Sequence, residues 1–294
     1  MCAIKSSSPI KEKQKLLLKH KQMNKKCILV AWDFTSHAQN SLSHALFYSE
    51  LTDQEVCLLH IVKKEVMRTE IEIRLNKEAQ KILSETGVKV QTMVQVNNIT
   101  DGLIKAAIDT KASMIIGSLP GFKGLQKYIG RYVINAIMGS VIPSTIVQAP
   151  KSDTNELKVI CPIDCKRQSK ELLAMVQLLA QNPKVKIQLV YPSYSCSIQS
   201  LFTKCNINFS KNYLSRFNIK FEEKTLPCKK FKEKTLEHAE NENADLILHL
   251  SQKESKWRNF FFSSNNYKFV TNDKKIPVMS IRPDDSMYKT SGFN

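Results

Sequence analysis

Two kinds of residue in this chain have the type and spacing to do chemistry. Gly117, Gly121, Gly124 and Gly130 lie close together. A glycine-bearing loop that runs into a helix is a simple device for holding phosphate. Without Cβ atoms the backbone N–H groups approach the anion, and the helix N-terminus adds partial positive charge. Asp33 and Asp164 each close an apolar run, 131 residues apart. A carboxylate in that place either contacts a ligand or holds the turn into the next helix. Both readings stay open for Asp33, and the cap is the preferred reading for Asp164.

The histidines and cysteines point to structure more than to reaction. His60 closes a second apolar run, where a hydrogen-bonded structural imidazole is preferred over a catalytic base. His37 and His44 lie seven residues apart on one helix face without a third ligand, so no metal is assigned to them. His238 and His249 show no partner in the sequence. Cys27, Cys57 and Cys161 sit inside apolar runs, where a thiol acts as a small hydrophobe. The eight cysteines include no C-x-x-C pair and no dense disulfide spacing, which fits a reducing, cytoplasmic setting. No H-E-x-x-H, G-x-S-x-G or intact Walker loop is present. With no paired carboxylates to pick out either, no catalytic residue is assigned.

The elements that must position these residues alternate along the chain. Cys27 to Trp32 is apolar on both faces, as a strand of a helix-covered parallel sheet must be. Ala38, Leu42, Ala45, Leu46 and Ser49 then repeat at helical spacing after a Thr35 or Ser36 cap. Val56 to Val62 is a second strand, 68 to 85 a helix stopped by Gly87, and Val88 to Val94 a third strand. Thr100 and Asp101 open a further helix. Met114 to Ile116 is a fourth strand ending at Gly117, and Ser144 to Val147, after Pro143, a fifth. Five strands alternating with four helices predict a doubly wound α/β domain.

The second half repeats the first. Lys158 to Asp164 matches the opening strand and its aspartate, Ala244 to Leu248 matches Ala112 to Ile116, and Ile276-Pro277 matches Ile142-Pro143. Three matches in order at nearly one offset predict a tandem duplication with a linker at Asp153 to Asn155. The expected organisation is a basic arm over 1–24, domains over 25–150 and 156–283, and a tail over 284–294. The two halves are expected to pack together, because each alone leaves an edge strand free for pairing.

Strand, Asp33, helix, Leu59-His60-Ile61 and the Gly117 to Gly130 loop, seen in order and partly repeated, resemble the universal stress protein family in its tandem bacterial form. Ile28 to Thr35 resembles that family's opening strand and turn. The resemblance implies two tandem doubly wound five-stranded parallel-sheet domains, Rossmann-like and similar to the adenine-nucleotide alpha-hydrolases. It implies ATP with Mg²⁺ as the ligand. Carried over, Ala31, Asp33 and Ile61 face the adenine, while Ile116, Gly117, Gly121, Gly130 and Arg131 line the ribose and phosphates. In open α/β sheets such ligands sit beyond the carboxyl ends of the strands.

The chain also departs from the family's G-x2-G-x9-G-[ST] pattern. Counted from Gly117, the second glycine is Pro120, which lacks an N–H donor, while Gly130 falls in place. Counted from Gly121, eight residues remain before Gly130 where nine are needed. Arg131 replaces the final Ser or Thr and either meets a phosphate or fills the site. In the second half the loop is gone: Ser251 to Asn259 is polar and glycine-free, and Ser264-Asn265 stands where Gly130-Arg131 would repeat.

Composition sets the remaining bounds. With 294 residues, 42% hydrophobic and 24% charged, the chain is neither collagenous, mucin-like nor wholly disordered. Residues 1 to 22 hold six lysines against Glu12 and one short apolar run, which is no secretory signal. Met23, just ahead of the first strand, reads as an alternative start. No apolar run approaches the roughly 18 residues of a membrane span. The net charge of +17 raises polyanion binding. That charge is spread over two domains, so nucleic acid is the weaker reading. Lys229-Lys230-Phe231 and Lys253 to Arg258 around Trp257 are read as solvated helix faces, and Phe260 to Phe262 as packing or an interface patch. Three readings remain: a non-catalytic nucleotide-binding signalling protein with at most slow ATP hydrolysis, a nucleotide-free interaction module working as a homodimer or with a protein partner, and a polyanion binder.

Overall fold

Strand β1 (Cys27–Ala31) buries Cys27, Ile28, Leu29 and Val30 in succession, so both of its faces are covered. A computed structural model describes residues 26–119, 140–152, 154–194, 198–251 and 269–283. After β1 come helix α1 (Ser36–Thr52), β2 (Glu55–Val62), α2 (Arg68–Thr86), β3 (Gln91–Val96), α3 (Ile99–Asp109), β4 (Ala112–Ser118) and β5 (Ser144–Val147). The second half runs β6 (Leu157–Pro162), α4 (Leu172–Leu179), β7 (Val185–Ser193), α5 (Ile198–Arg216), β8 (Phe221–Pro227), α6 (Phe231–Asn241), β9 (Leu246–Leu250) and β10 (Val278–Ile281).

The predicted repeat is realised as one sheet. Its strand order is β3-β2-β1-β4-β5-β10-β9-β6-β7-β8, so each half has the same order from its edge inward. All pairs are parallel except β5 with β10, which are antiparallel through Ile146–Val278, Thr145–Met279 and Ser144–Ser280. The edge strand that each half would expose is thus covered by its counterpart, as the sequence led us to expect. The outer edge strand β8 shows Glu222, Glu223, Lys224 and Thr225 to solvent, and charge there discourages further strand addition.

Helices cover both faces. Ile28, Val30, Val56 and Leu58 point toward α1 and α2, while Leu29, Cys57 and Leu59 point toward α3. The α1–α2 core continues without a break into Leu173, Val176 and Leu179 of α4, which packs on α1 across the join. Lys151 fastens the linker: its ammonium donates to the carbonyl oxygens of Ser152 (3.0 Å) and Thr154 (3.2 Å) and pairs with Asp245 at 3.8 Å.

Local signals explain most boundaries. Gly87 ends α2 at φ 72, and its N–H reaches Leu83 O at 2.9 Å, a left-handed cap that glycine adopts without strain. Asn98 caps α3, accepting from the Asp101 N–H at 2.9 Å. That cap starts α3 at Ile99. Strand β3 begins at Gln91, later than expected, and the Val88 N–H is taken by the Thr86 hydroxyl at 3.2 Å instead of a ladder partner.

Candidate functional site

The carboxyl ends of β1, β2 and β4 bring together Ala31, Asp33, Ile61, Ile116 and Gly117. Ala31 pairs with Leu59 of β2, and Val30 with Ile116 of β4, so Asp33 emerges between the two neighbouring strands. Ile116 and Gly117 are buried; Ala31 and Ile61 are half-buried. Ile61 packs closely on α3: a Cβ on Gly102 would lie 3.1 Å from its Cγ2, so a larger residue there would have to displace the Ile61 side chain slightly. Pro120, Gly121, Gly124, Gly130 and Arg131 lie outside the described residues, as do Trp257, Phe260 to Phe262 and the arm.

Asp33 is exposed, and its Oδ1 accepts from the Thr35 N–H (3.0 Å) and hydroxyl (2.6 Å). It therefore holds the turn between β1 and α1, while Oδ2 takes no hydrogen bond among the described residues. Thr35 is the N-cap residue of α1 by position, but its hydroxyl serves Asp33 and not the helix. Phe34 between them has φ 60, a left-handed conformation that is costly for a bulky residue. Its ring is clamped by the Arg74 guanidinium at 4.0 Å and by the His60 imidazole at 5.0 Å.

His60 is the hydrogen-bonded structural histidine. A carbonyl can only accept, so Nδ1 carries the proton and donates to Trp32 O at 2.7 Å. Burial lowers its pKa, and the bond to Trp32 partly opposes that. His44 is buried, and its Nε2 donates to Ala149 O at 3.1 Å. Burial takes its pKa down to about 4. His238 finds the Gln188 amide oxygen at 2.6 Å. Cys27, Cys57 and Cys161 are buried free thiols.

The second half has a matching crevice with different furnishing. Gly117 pairs with Ile146 in the first half, and His249 pairs with Ser280, the counterpart of Ile146, in the second. His249 therefore occupies the place of Gly117. Asp164 matches Asp33 in place and in task, its Oδ1 accepting from the Lys166 N–H at 2.9 Å. It is more enclosed, and burial raises its pKa. With the 11-residue helices α3 and α6 aligned end to end, Lys232 stands where Thr100 does.

Asp164, Lys166, Lys232, Thr235, His249 and Phe269 line a cavity of about 240 Å³. The Phe269 ring lies 5.1 Å from His249 and 4.9 Å from the Lys232 ammonium. Burial drives the His249 pKa well below the ordinary imidazole value, with Lys232 and Lys166 adding to the effect. The Lys232 pKa comes down to about 8, mainly by burial. This crevice thus favours a neutral imidazole and an easily deprotonated amine.

Sequence reasoning left His249 and Lys232 unassigned. The strand register exposes the first. The second directly follows Lys229-Lys230-Phe231, a run expected on a solvated face; Lys229 and Lys230 are exposed there, but Phe231 and Lys232 are half-buried.

No protein-family model matches the sequence, and no curated protein does. Solved structures do match. A universal stress protein from Archaeoglobus fulgidus superimposes with a TM-score of 0.69 over 90% of this chain and 98% of its own, at 14% identity. The chain has a universal stress protein fold, written twice. A putative universal stress protein from Pseudomonas aeruginosa matches at TM-score 0.58 and 14% identity, covering 91% of this chain and 97% of its own. A functionally unknown protein from the same organism matches equally well, over 92% and 96%. The universal stress protein fold accounts for the parallel order of each half and for the crevice at its strand ends. None of the described helices is long and apolar enough to cross a membrane.

Proposed function

We propose that the chain is a universal stress protein of the tandem form, a non-catalytic stress-response or signalling protein of the cytoplasm. Its first half, 25–150, binds ATP or a related nucleotide, and its second half, 156–283, is a structural or regulatory partner. The observation that carries this reading is the contrast between Gly117 and His249 at one place in two copies of a fold. In the first half the strand end is a glycine beside an exposed carboxylate, which suits a backbone approach to a ligand. In the second half a side chain stands where phosphate would need backbone. Asp33 would position the sugar or base, Gly117 and Gly130 the phosphates, and Arg131 would meet their charge.

Calorimetric titration of the whole chain with ATP and Mg²⁺ tests this. Saturable heat at one site per chain is expected. No heat from the parent protein, with binding appearing on Arg131→Ser, would mean that the arginine closes the site. In that event the nucleotide-free interaction module is the better reading.

A further inference from the structure

Helix α5 is amphipathic the wrong way round. Its buried residues are Thr203, Asn206, Ile207, Ser210 and Leu214, three of them polar. The Asn206 amide donates to the carbonyls of Asp164 (2.8 Å) and Lys166 (2.9 Å), and Ser210 bonds back to Asn206 O. The outward side carries large apolar residues, Ile198 at 74% exposed, Leu201 61%, Phe202 51% and Phe209 47%, continued by Phe217 at 48%, with Asn212 and Arg216 among them. At about 100° per residue, Ile198, Leu201, Phe202, Phe209 and Tyr213 fall within an arc of about 120°. Phe209, Tyr213 and Phe217 form a ladder of rings spaced 6.2 and 5.0 Å. These are all the large exposed apolar side chains among the described residues of the second half.

The matching helix of the first half is built conventionally. α2 buries Ile71, Leu75 and Ile82 and shows ion pairs, Arg68 with Glu72 at 2.8 Å and Lys81 with Glu85 at 3.9 Å. α2 also exposes Ile73 and Leu83, but among ion pairs, whereas α5 gathers its exposed apolar side chains in one arc, and such a gathered face marks a contact.

Charge and shape identify what is contacted. α5 carries Lys204, Lys211 and Arg216 and no carboxylate. Lys170 from the adjoining turn rests its ammonium 4.7 Å from the Phe209 ring centre. Glu223 of β8 is nearby and already paired with Lys211 at 2.8 Å. A second copy of this face would set cation against cation. A partner helix needs a groove, but the neighbouring α4 buries Leu172, Leu173, Met175, Val176 and Leu179 and offers no second apolar wall. An apolar ridge flanked by cations fits a flat anionic surface, the arrangement of helices that lie in a lipid headgroup layer.

We propose that α5 seats the protein on anionic membranes, with Ile198, Leu201, Phe202 and Phe209 entering the headgroup layer and Lys204 and Arg216 on its phosphates. The net charge of +17 adds long-range attraction to the same surface. This does not depend on nucleotide binding.

The test is flotation of the full chain with phosphatidylcholine vesicles, with and without about 30% phosphatidylserine. The parent protein is expected to float with the anionic vesicles only. The double variant Leu201→Asn/Phe209→Asn, at exposed positions and checked for an unchanged melt, is expected to bind at least about tenfold less. Phe202→Trp should emit further to the blue on anionic vesicles than in buffer. Three outcomes overturn the proposal. The parent fails to float, or the double variant floats as well as the parent, leaving the binding to other basic residues. Alternatively, light scattering finds a dimer that the double variant dissolves without any vesicle binding, making the face a contact between copies.

Discussion

The two crevices share a backbone and differ in what fills them. Each lies at the end of the strand next to its half's opening strand, and each has an aspartate holding the turn above it, Asp33 on Thr35 and Asp164 on Lys166. One strand has Gly117 as its penultimate residue and the other His249, and the helix beside the second crevice contributes Lys232 in the place of Thr100. The turn carboxylate is therefore part of the scaffold, kept whether or not the crevice is open. What separates the two crevices is a pair of side chains within one unchanged frame.

The strongest way to break the comparison is to ask whether the halves are separate bodies. Leu58 and Leu189 occupy matching places, both fully buried, opposite Val30 and Cys161. Truncating either to alanine should cost about 2–5 kcal/mol. Because one core runs through α1 and α4, both variants should lower a single shared calorimetric transition. Two transitions, each moved by one variant, would show the halves melting independently.

A smaller effect separates the crevices by pH. The Lys232 pKa is about 8 when folded and near 10.4 in a free chain, so the unfolded chain binds more protons between those values. Stability should therefore rise as pH goes from about 8 to 10, the cost of a buried cation being present below that window and relieved above it. Lys232→Met should raise the melting temperature by a few degrees at pH 7 and flatten this slope. The mirror change Thr100→Lys should have no such pH signature if the first crevice is the more open one. A parent protein that loses stability over that window would contradict the buried amine.

The smallest contrast is in the caps. α3 is capped by Asn98, whereas α6 starts after Lys230 at φ 55 with no side-chain cap. Asn98→Ala should cost about 1 kcal/mol. Lys230→Gly, which removes a strained left-handed conformation, should stabilise by up to about 1 kcal/mol. Denaturant midpoints measure both, and equal destabilisation by the two would refute the asymmetry.

Much of the frame was legible because each strand buried on both faces is a short apolar run, as Cys27 to Trp32 and Val159 to Cys161 are. Asp33 and Asp164 were legible as equivalent because the repeat carries them at one offset. The start of β3 was not, because Val88 and Val90 alternate like a strand although the Val88 N–H goes to the Thr86 hydroxyl and not to a ladder partner. The antiparallel join of β5 and β10 was legible only as a free edge awaiting a partner. His249 and Lys232 could not be placed in a crevice before the strand register and the turn of α6 were known. The outward face of α5 has a helical period, but periodicity does not say which side meets the sheet; Asn206, tied to two carbonyls, decides it.

The central claim is that one crevice binds and its twin does not. Calorimetric titration of the full chain with ATP and Mg²⁺, run beside Gly117→His and His249→Gly, measures this directly. The account predicts one site in the parent, none in Gly117→His with its fold intact, and one still in His249→Gly. Two sites in the parent, or a single site that survives Gly117→His, would contradict it.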